Sequence, residues 1–200
     1  MITVDARGLF CPAPVVEARK AIARLPEHGG QVHVFVDNQL AAENLSRMAA
    51  GLGFGYALQE QGDGVYSLTI TVGEGHAPSP AAPALPQDGA GLVVSIGRDK
   101  MGGGSDELGE ILIKGFLYAL VQLPQAPRAL LFFNGGIQLA LENSNSLSDI
   151  RELAEKGTRV LVCGTCVNYY EAADKLAVGE IANMFDLLGE MADAERLIQL

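Results

Sequence analysis

Tryptophan is absent from the 200 residues, and only three cysteines and three histidines occur. Basic residues are also scarce, because 14 Lys and Arg stand against 24 Asp and Glu and leave a formal net charge of −10. No run of basic residues offers a stripe that could follow a phosphate backbone. Nucleic-acid binding is therefore disfavoured, and so is attachment to an anionic membrane surface.

Long apolar runs are missing as well. No stretch reaches the roughly 18 apolar residues of a membrane span, and residues 1–7 contain no apolar signal core. We therefore expect a protein of the reducing cytosol that has no membrane segment. In that compartment, three cysteines without an export signal are interpreted as reactive thiols, metal ligands or buried core residues, not as a disulfide framework.

One segment interrupts an otherwise globular composition, in which 48% of the residues are hydrophobic. Residues 73–89 contain four prolines and hardly any large apolar side chain. Such a composition predicts an extended, semi-stiff spacer of about 3 Å per residue. The sequence thus predicts two domains, residues 1–72 and residues 90–200, joined by a linker at 73–89.

The first domain alternates short strands and helices. Val32, Val34 and Val36 have the period-two spacing of one strand face. Two stripes have helical spacing, namely Val15, Ala18, Ile22 and Leu25, and Ala41, Leu45, Met48, Ala49 and Leu52. With a strand at Ile2–Asp5 and a hairpin turn at 62–64, the order strand-helix-strand-helix-strand-strand predicts a two-layer α/β sandwich with two helices on one sheet face.

The second domain has the pattern of an α/β protein with a parallel sheet. Apolar strands at Leu92–Ile96, Ala129–Phe133 and Arg159–Cys163 alternate with helices, the first of them at about 105–122. Strands without polar alternation are typical of a sheet covered on both faces, so we expect a three-layer α/β/α domain. In such sheets, functional residues lie at the carboxyl ends of strands, where Cys163 is found.

Three further local features are expected in this domain. The residues on the buried side of helix 105–122 are predicted to be Leu108, Ile111, Leu112, Gly115, Phe116 and Ala119. Ser146 and Asp149 have the spacing of a capping box. A final unit should contain a helix at 183–192 and a strand at 196–200.

Cys11 is the first candidate functional residue. Pro12 suits the first position of a helix, which makes Cys11 the N-cap residue. Since Pro14 lacks a donor too, the amides of Ala13 and Val15 should point toward the sulfur and, with the helix dipole, favour the thiolate. A thiolate without a second cysteine in the same turn suits a carrier of persulfide sulfur. The alternative is a cysteine that only caps the helix or packs beneath it.

The surrounding motif resembles the TusA/SirA-like family of sulfur carriers. Residues 5–14 read Asp-Ala-Arg-Gly-Leu-Phe-Cys-Pro-Ala-Pro, a basic amphipathic helix follows, and residues 36–38 read Val-Asp-Asn. The resemblance covers nearly all of residues 1–72 and implies a two-layer α/β fold with a persulfide on Cys11. The supporting motif residues are Asp5, Arg7, Gly8, Pro12 and Pro14. Of these, Arg7 is expected to add positive charge near the sulfur.

A carrier of this kind implies protein partners and no bound group. We expect a sulfur-donor protein such as a cysteine desulfurase and a downstream acceptor protein. Neither a cofactor nor a metal is predicted. A homo-oligomer through residues 90–200 is also expected, because this domain has more aromatic residues than one small core needs. These are Phe116, Tyr118, Tyr169, Tyr170 and Phe185.

Cys163 and Cys166 form the second candidate site. They lie three positions apart where a buried strand passes into a helix, so the two thiols can approach each other and the helix end should acidify one of them. Three functional interpretations stay open, namely a thiol–disulfide redox pair, a persulfide acceptor with a resolving partner, and half of a zinc site. Zinc is the weakest, because all three histidines precede residue 77. Two buried structural cysteines are the plain alternative.

Two neighbouring loops could reach the same cleft. Residues 134–136, Asn-Gly-Gly, follow a strand and either supply amides to the cleft or only turn the chain. The charged residues 98–100 could line the cleft, although a solvated turn is favoured. The glycine-rich residues 101–104 are interpreted as a plain turn before a helix capped by Ser105.

Residues 95–102 and 163–166 together resemble the DsrE/DsrF-like fold, which includes sulfur-relay proteins with a cysteine at a comparable junction. The resemblance implies a site at Cys163 and Cys166 without choosing between them. The two-domain arrangement resembles the YedF family, which is associated with selenium metabolism. We therefore predict sulfur or selenium trafficking by a persulfide relay between Cys11 and Cys163 or Cys166. The alternatives are a thiol–disulfide redox protein and a non-enzymatic regulatory or interaction module with structural cysteines.

Overall fold

The computed structural model describes residues 1–9, 12–73 and 91–200. The chain divides into two compact units, Met1–Ala81 and Ala82–Leu200. The predicted linker lies outside the described residues except for Gly73, so its extended form and the predicted domain bounds stay predictions. Within the described residues, no helix is long and apolar enough to cross a membrane.

The first unit follows the predicted order of elements. They are β1 (Ile2–Asp5), α1 (Ala13–Ala23), β2 (Gly30–Val36), α2 (Gln39–Gly51), β3 (Gly55–Gly62) and β4 (Val65–Val72). The sheet order is β1-β2-β4-β3, in which β1 runs parallel to β2 and the other neighbours are antiparallel. The carboxyl ends of β1 and β2 therefore meet at one edge of the sheet.

The core of the first unit lies between the sheet and its two helices. Val32, Val34 and Val36 are fully buried and pack in one cluster with Ala18 of α1 and Leu45 of α2. The predicted apolar stripes of both helices belong to this cluster. The local periodicity of the sequence thus identified the buried faces of the first unit correctly, and the two-layer α/β arrangement is observed.

The second unit is built on a parallel sheet. Its elements are β5 (Leu92–Ile96), α3 (Asp106–Val121), β6 (Ala129–Phe132), a 3-10 helix (Asn134–Ala140), α4 (Leu147–Glu155), β7 (Arg159–Cys163), α5 (Gly164–Tyr169), a 3-10 turn (Ala173–Lys175), β8 (Glu180–Ala182), α6 (Met184–Ala192) and β9 (Arg196–Gln199). The sheet order is β8-β7-β6-β5-β9, and every neighbouring pair is parallel.

Alternate residues of the central strands enter different cores. Val94 of β5 packs in one cluster with Ile113 of α3 and Ile150 of α4. Val93, its neighbour in the chain, packs in another cluster with Leu187 of α6. Both faces of the sheet are therefore covered, as the continuous apolar strands predicted.

The prediction for the buried face of α3 holds for Phe116, which packs against a core cluster, but it is wrong for three of the other residues. Leu108, Ile111 and Leu112 are 53%, 58% and 44% exposed, whereas Ile113 and Leu117 are buried. The helix carries apolar residues on more than one side, so helical spacing alone allows two candidate stripes. Packing against β5 selects the stripe that contains Ile113 and leaves the other one exposed.

The predicted capping box of α4 is also absent. Ser146 is the N-cap residue, but its side chain makes no capping hydrogen bond. Its backbone has φ −99° and ψ 0°, whereas a side chain that caps a helix usually extends from a residue in the β region. The strand β8 was not predicted, because three residues are too few to show a period.

Candidate functional site

The loop after β1 is held by an ion pair between Arg7 and Asp5. The Nε and Nη2 atoms of Arg7 donate to the Asp5 carboxylate at 2.8 and 2.5 Å, and the backbone N–H of Arg7 donates to Asp5 Oδ1 at 3.2 Å. These hydrogen bonds lower the pKa of Asp5 from 3.8 to about 2. The charge of Arg7 is therefore balanced by Asp5, and because Cys11 lies outside the described residues, the expectation that Arg7 adds positive charge near the sulfur stays a prediction.

Gly8 ties the same loop to the neighbouring strand. Its backbone N–H donates to the Asp37 carboxylate at 2.6 Å, and its φ of 73° lies in the left-handed region that favours glycine. Asp37 follows the last residue of β2, and the next residue, Asn38, caps α2 by accepting from the amide of Ala41 at 2.8 Å. The segment that leads to Cys11 is thus attached to the beginning of a second helix.

Cys11 itself lies outside the described residues. Helix α1 begins at Ala13 with Pro12 as its N-cap residue, so the prediction that Cys11 is the N-cap is wrong. The amide of Val15 donates to the carbonyl oxygen of Pro12 at 3.1 Å and is not free to point elsewhere. Pro14 is buried in the first turn. Pro12 is the N-cap residue because its carbonyl, with ψ near 7°, already accepts hydrogen bonds from the first turn of the helix.

The two thiols of the second unit do come together. Cys163 is the last residue of β7 and the N-cap residue of α5, and only 1% of its surface is exposed. Cys166 lies in the first turn of α5 and is partly exposed. Both are free thiols, and Cys166 packs against the buried cluster that contains Cys163. The expectation that the strand end and the helix start bring the sulfurs near each other agrees with this geometry.

Asn134 contributes a backbone donor to this pair. Its N–H donates to Cys166 Sγ at 3.0 Å, and its φ of 49° is in the left-handed region. The hydroxyl of Tyr170 donates to Asn134 Oδ1 at 3.3 Å. Of the two expectations for residues 134–136, the supply of an amide to the cleft is the one that the structure shows.

Burial and the neighbouring thiol dominate the electrostatics of Cys166. Burial raises the pKa of the Cys166 thiol, the Asn134 N–H lowers it, and the neighbouring Cys163 thiol raises it again. The net direction is upward from the usual value. The helix end therefore does not acidify Cys166, and the expectation that it acidifies one of the two thiols stays a prediction.

Glycines allow the strand-end loops to approach one another. A Cβ atom on Gly136 would lie 2.1 Å from the carbonyl oxygen of Ile96, the last residue of β5. On the other side, a Cβ atom on Gly164 would lie 3.0 Å from a methyl group of Ile181 in β8. The loop after β6 therefore lies against the end of β5, and the start of α5 lies against β8, without room for larger side chains at these two glycines.

Of the charged residues 98–100, Lys100 is engaged by helix α3. Lys100 forms ion pairs with Asp106 at 2.9 Å and Glu110 at 3.6 Å, both on α3. Ser105 caps α3 by accepting from the amide of Leu108 at 3.4 Å. Over residues 1–9, 12–73 and 91–200, no group of three or more His, Cys, Asp and Glu side chains could hold a metal ion, so the zinc interpretation has no ligand set there.

Comparison with known proteins identifies the first unit. Residues 2–72 match the family described as sulfurtransferase TusA. Over 70 residues the chain is 33% identical to a proposed sulfur carrier protein of Methanocaldococcus jannaschii, a match that covers 35% of this chain and 92% of that protein. The chain belongs to the TusA family. Its general role therefore lies in sulfur trafficking.

Three solved structures are similar to parts of this TusA-family chain. A SirA-like protein from Desulfitobacterium hafniense is 49% identical and covers 37% of this chain and 100% of its own, with a TM-score of 0.36. The protein MTH1491 of unknown function from Methanobacterium thermoautotrophicum is 15% identical with a TM-score of 0.42, and ychN from E. coli is 17% identical with 0.43. Each of these two covers 55% of this chain and 97% of its own.

Two residues around the TusA-family chain's candidate sites gain their roles only from the structure. Asp37 was noted as part of a motif, but no local pattern showed that it accepts from Gly8, which is 29 residues earlier. Tyr170 was expected in a core or an interface, and its hydrogen bond to Asn134 spans 36 residues. Gly8 and Asp37 meet because they follow the neighbouring strands β1 and β2. Asn134 and Tyr170 meet because Asn134 follows β6 and Tyr170 ends α5, which follows the neighbouring strand β7. Both contacts therefore depend on strand order.

Proposed function

We propose that this chain carries sulfur, or selenium, as a persulfide and relays it between two sites. Cys11 accepts the outer sulfur of a donor persulfide, and Cys163 or Cys166 exchanges it. In the accepting step, the Cys11 thiolate attacks the outer sulfur, the donor's S–S bond breaks, and the donor cysteine leaves as a thiolate. The family of residues 2–72 and the motif around Cys11 support this assignment.

The observation that carries the proposal is the attachment of the loop before Cys11. Gly8 is bound to Asp37, and Arg7 is bound to Asp5, so both ends of the segment 5–8 are restrained while Leu9 is 36% exposed. A restrained, accessible loop can present a thiol to a partner protein with little loss of conformational entropy on docking. The donor is expected to be a protein such as a cysteine desulfurase, and a second protein is expected to accept the sulfur.

The second unit supplies the other end of the relay. We assign residues 90–200 to a DsrE/DsrF-like domain and the whole chain to a YedF-like arrangement, with Cys163 and Cys166 at the carboxyl edge of the parallel sheet. A linker of residues 73–89 would hold the two sites at an effective concentration of up to about millimolar, so only weak docking is needed for transfer. The thiols bind sulfur and selenium by the same chemistry, and both stay open as cargo.

Intact mass spectrometry after incubation with a cysteine desulfurase and cysteine tests this proposal. The wild-type chain should gain at least one sulfur atom, and Cys11→Ser should gain none from the desulfurase. The double variant Cys163→Ser/Cys166→Ser is the matched control, because it removes thiols but keeps Cys11, and it should still gain one sulfur. Loss of loading in the control with loading in Cys11→Ser would reverse the assigned order of the two sites.

A second candidate function is thiol–disulfide exchange at the cysteine pair. The packing of Cys166 against the cluster that contains Cys163 favours it, because two thiols that lie close together can close a disulfide without large movement. Equilibration in glutathione buffers would measure the reduction potential of the pair. A potential in the cytosolic range, with no sulfur loading on Cys11, would favour this function over the relay.

A further inference from the structure

The two thiols of the second unit differ in solvent exposure, and this difference sets the order in which they can react with an incoming persulfide. Cys163 is 1% exposed and packs in a core cluster with Val93, Leu131 and Leu187. Cys166 is partly exposed and accepts from the Asn134 N–H. An incoming persulfide can therefore reach Cys166 but not Cys163.

We propose that the pair is a release site, in which Cys166 receives the sulfane sulfur and Cys163 expels it as hydrosulfide, or as hydroselenide when selenium is carried. This inference rests on the proposed function, because the relay supplies the sulfur, but it assigns separate roles to the two cysteines and names the product. The only other cysteine of the chain is Cys11, so within the second unit no other thiol can resolve a persulfide on Cys166.

The chemistry balances with the groups present and one external reductant. The Cys163 thiolate attacks Cys166 Sγ, a bond forms between the two Sγ atoms, and the bond from Cys166 Sγ to the outer sulfur breaks. The outer sulfur leaves with the electron pair as hydrosulfide, so it is reduced by two electrons while the two cysteine sulfurs are oxidised to a disulfide. A thiol reductant, either a small dithiol or a dithiol protein, must then restore both thiols.

The geometry supplies what this attack needs. Cys163 and Cys166 are three positions apart at the start of a helix, where side chains at this spacing are neighbours, and Cys166 packs against the cluster that contains Cys163. The Asn134 N–H lies 3.0 Å from Cys166 Sγ and can stabilise negative charge on that sulfur when it first attacks a donor. Tyr170 is a positioning residue, because it holds Asn134 through its side chain.

Inorganic tetrasulfide, used without oxygen or added reductant, tests the release step on the full chain. The Cys11→Ser variant isolates the pair, and we expect it to release hydrosulfide and to end with a Cys163–Cys166 disulfide in a peptide map. Adding Cys163→Ser should reduce the release to background and leave one extra sulfur on Cys166, recovered as hydrosulfide only after dithiothreitol. Adding Cys166→Ser should abolish both sulfur binding and release.

Two controls keep the result interpretable. Cys163→Ala repeats the Cys163→Ser experiment without placing a hydroxyl in the core, and circular dichroism checks that each variant is folded. A chain without any of the three cysteines measures the hydrosulfide background of the probe.

Two outcomes would overturn the release site. One is sulfur that persists on Cys166 equally long with and without Cys163. The other is a pair that takes no sulfur from tetrasulfide. Failure of Cys11 to load from a desulfurase, with hydrosulfide release intact in this assay, would overturn the relay but leave the release site standing.

Discussion

The backbone N–H of Gly8 donates to the carboxylate of Asp37 at 2.6 Å, and this bond joins the end of β1 to the start of α2. The two residues are far apart in sequence, but β1 and β2 are parallel and adjacent, so their carboxyl ends lie side by side. The loop that precedes Cys11 thus depends on an acidic residue of another element.

Replacing Asp37 by alanine should weaken sulfur loading of Cys11. The variant leaves the Gly8 N–H without its charged acceptor, at a cost of about 1 kcal/mol in a solvent-exposed setting. We expect a lower thermal midpoint and slower transfer from a cysteine desulfurase. Asp37→Asn keeps one oxygen acceptor, so its thermal midpoint and transfer rate should lie between those of the wild type and of Asp37→Ala. Unchanged transfer in Asp37→Ala would show that this bond does not position the loop for transfer.

The ion pair of Asp5 with Arg7 predicts an acid-dependent contribution to stability. The folded-state pKa of Asp5, about 2, lies below its ordinary value of 3.8, so the contribution is complete above about pH 4 and is lost as the pH falls through 2. Urea unfolding of wild type and Asp5→Asn across this range should show a difference that shrinks with acid. Both side chains are more than half exposed, so high salt should reduce the difference as well. A constant difference would contradict the pairing.

Gly136→Ala should destabilise the second unit. A Cβ atom there would lie 2.1 Å from the Ile96 carbonyl oxygen, so a backbone segment must move, at a cost of about 1–3 kcal/mol. Gly135→Ala is the matched control, because its Cβ atom would meet its nearest neighbour at an ordinary 3.8 Å. Urea unfolding of the two variants should separate them. Equal midpoints would mean that the loop has room that the structure does not show.

The second unit should self-associate through the exposed apolar side of α3. Leu108, Ile111 and Leu112 form a contiguous apolar surface on that helix, and such surfaces are typical of interfaces. Ile111→Lys should lower the mass measured by light scattering at micromolar concentration. Leu40→Lys, at an exposed apolar position of the first unit, serves as the control. A strictly monomeric wild type would exclude this association. A lower mass for Leu40→Lys alone would place the interface on the first unit instead.

Proteolytic cutting near Ala82 should leave two independently folded fragments. Each unit has its own apolar cluster, so neither needs the other to bury its core. Circular dichroism of the separated fragments would show cooperative unfolding for both. An unfolded fragment 1–72 would mean that the predicted domain bound is wrong.

The bounds of three strands were predicted to the residue. Strands Ile2–Asp5, Leu92–Ile96 and Arg159–Cys163 have the predicted bounds. The start of α1 was misplaced by one residue, because two prolines in one turn make neighbouring cap positions equally acceptable. The exposed face of α3 was misassigned, because a helix with two apolar stripes does not indicate which one meets the sheet.

The amino-acid sequence by itself determined the order of elements in the first unit, the thiols available for chemistry and the motif that places the chain in the TusA family, since each depends on neighbouring residues. Only the tertiary structure decided that Asp37 binds Gly8, that Asn134 donates to Cys166, and that Cys163 is buried while Cys166 is accessible. These contacts cross about 30 residues and arise where parallel strands end side by side. The physical reason is that strand order, and not local periodicity, sets which loops meet at the edge of a sheet.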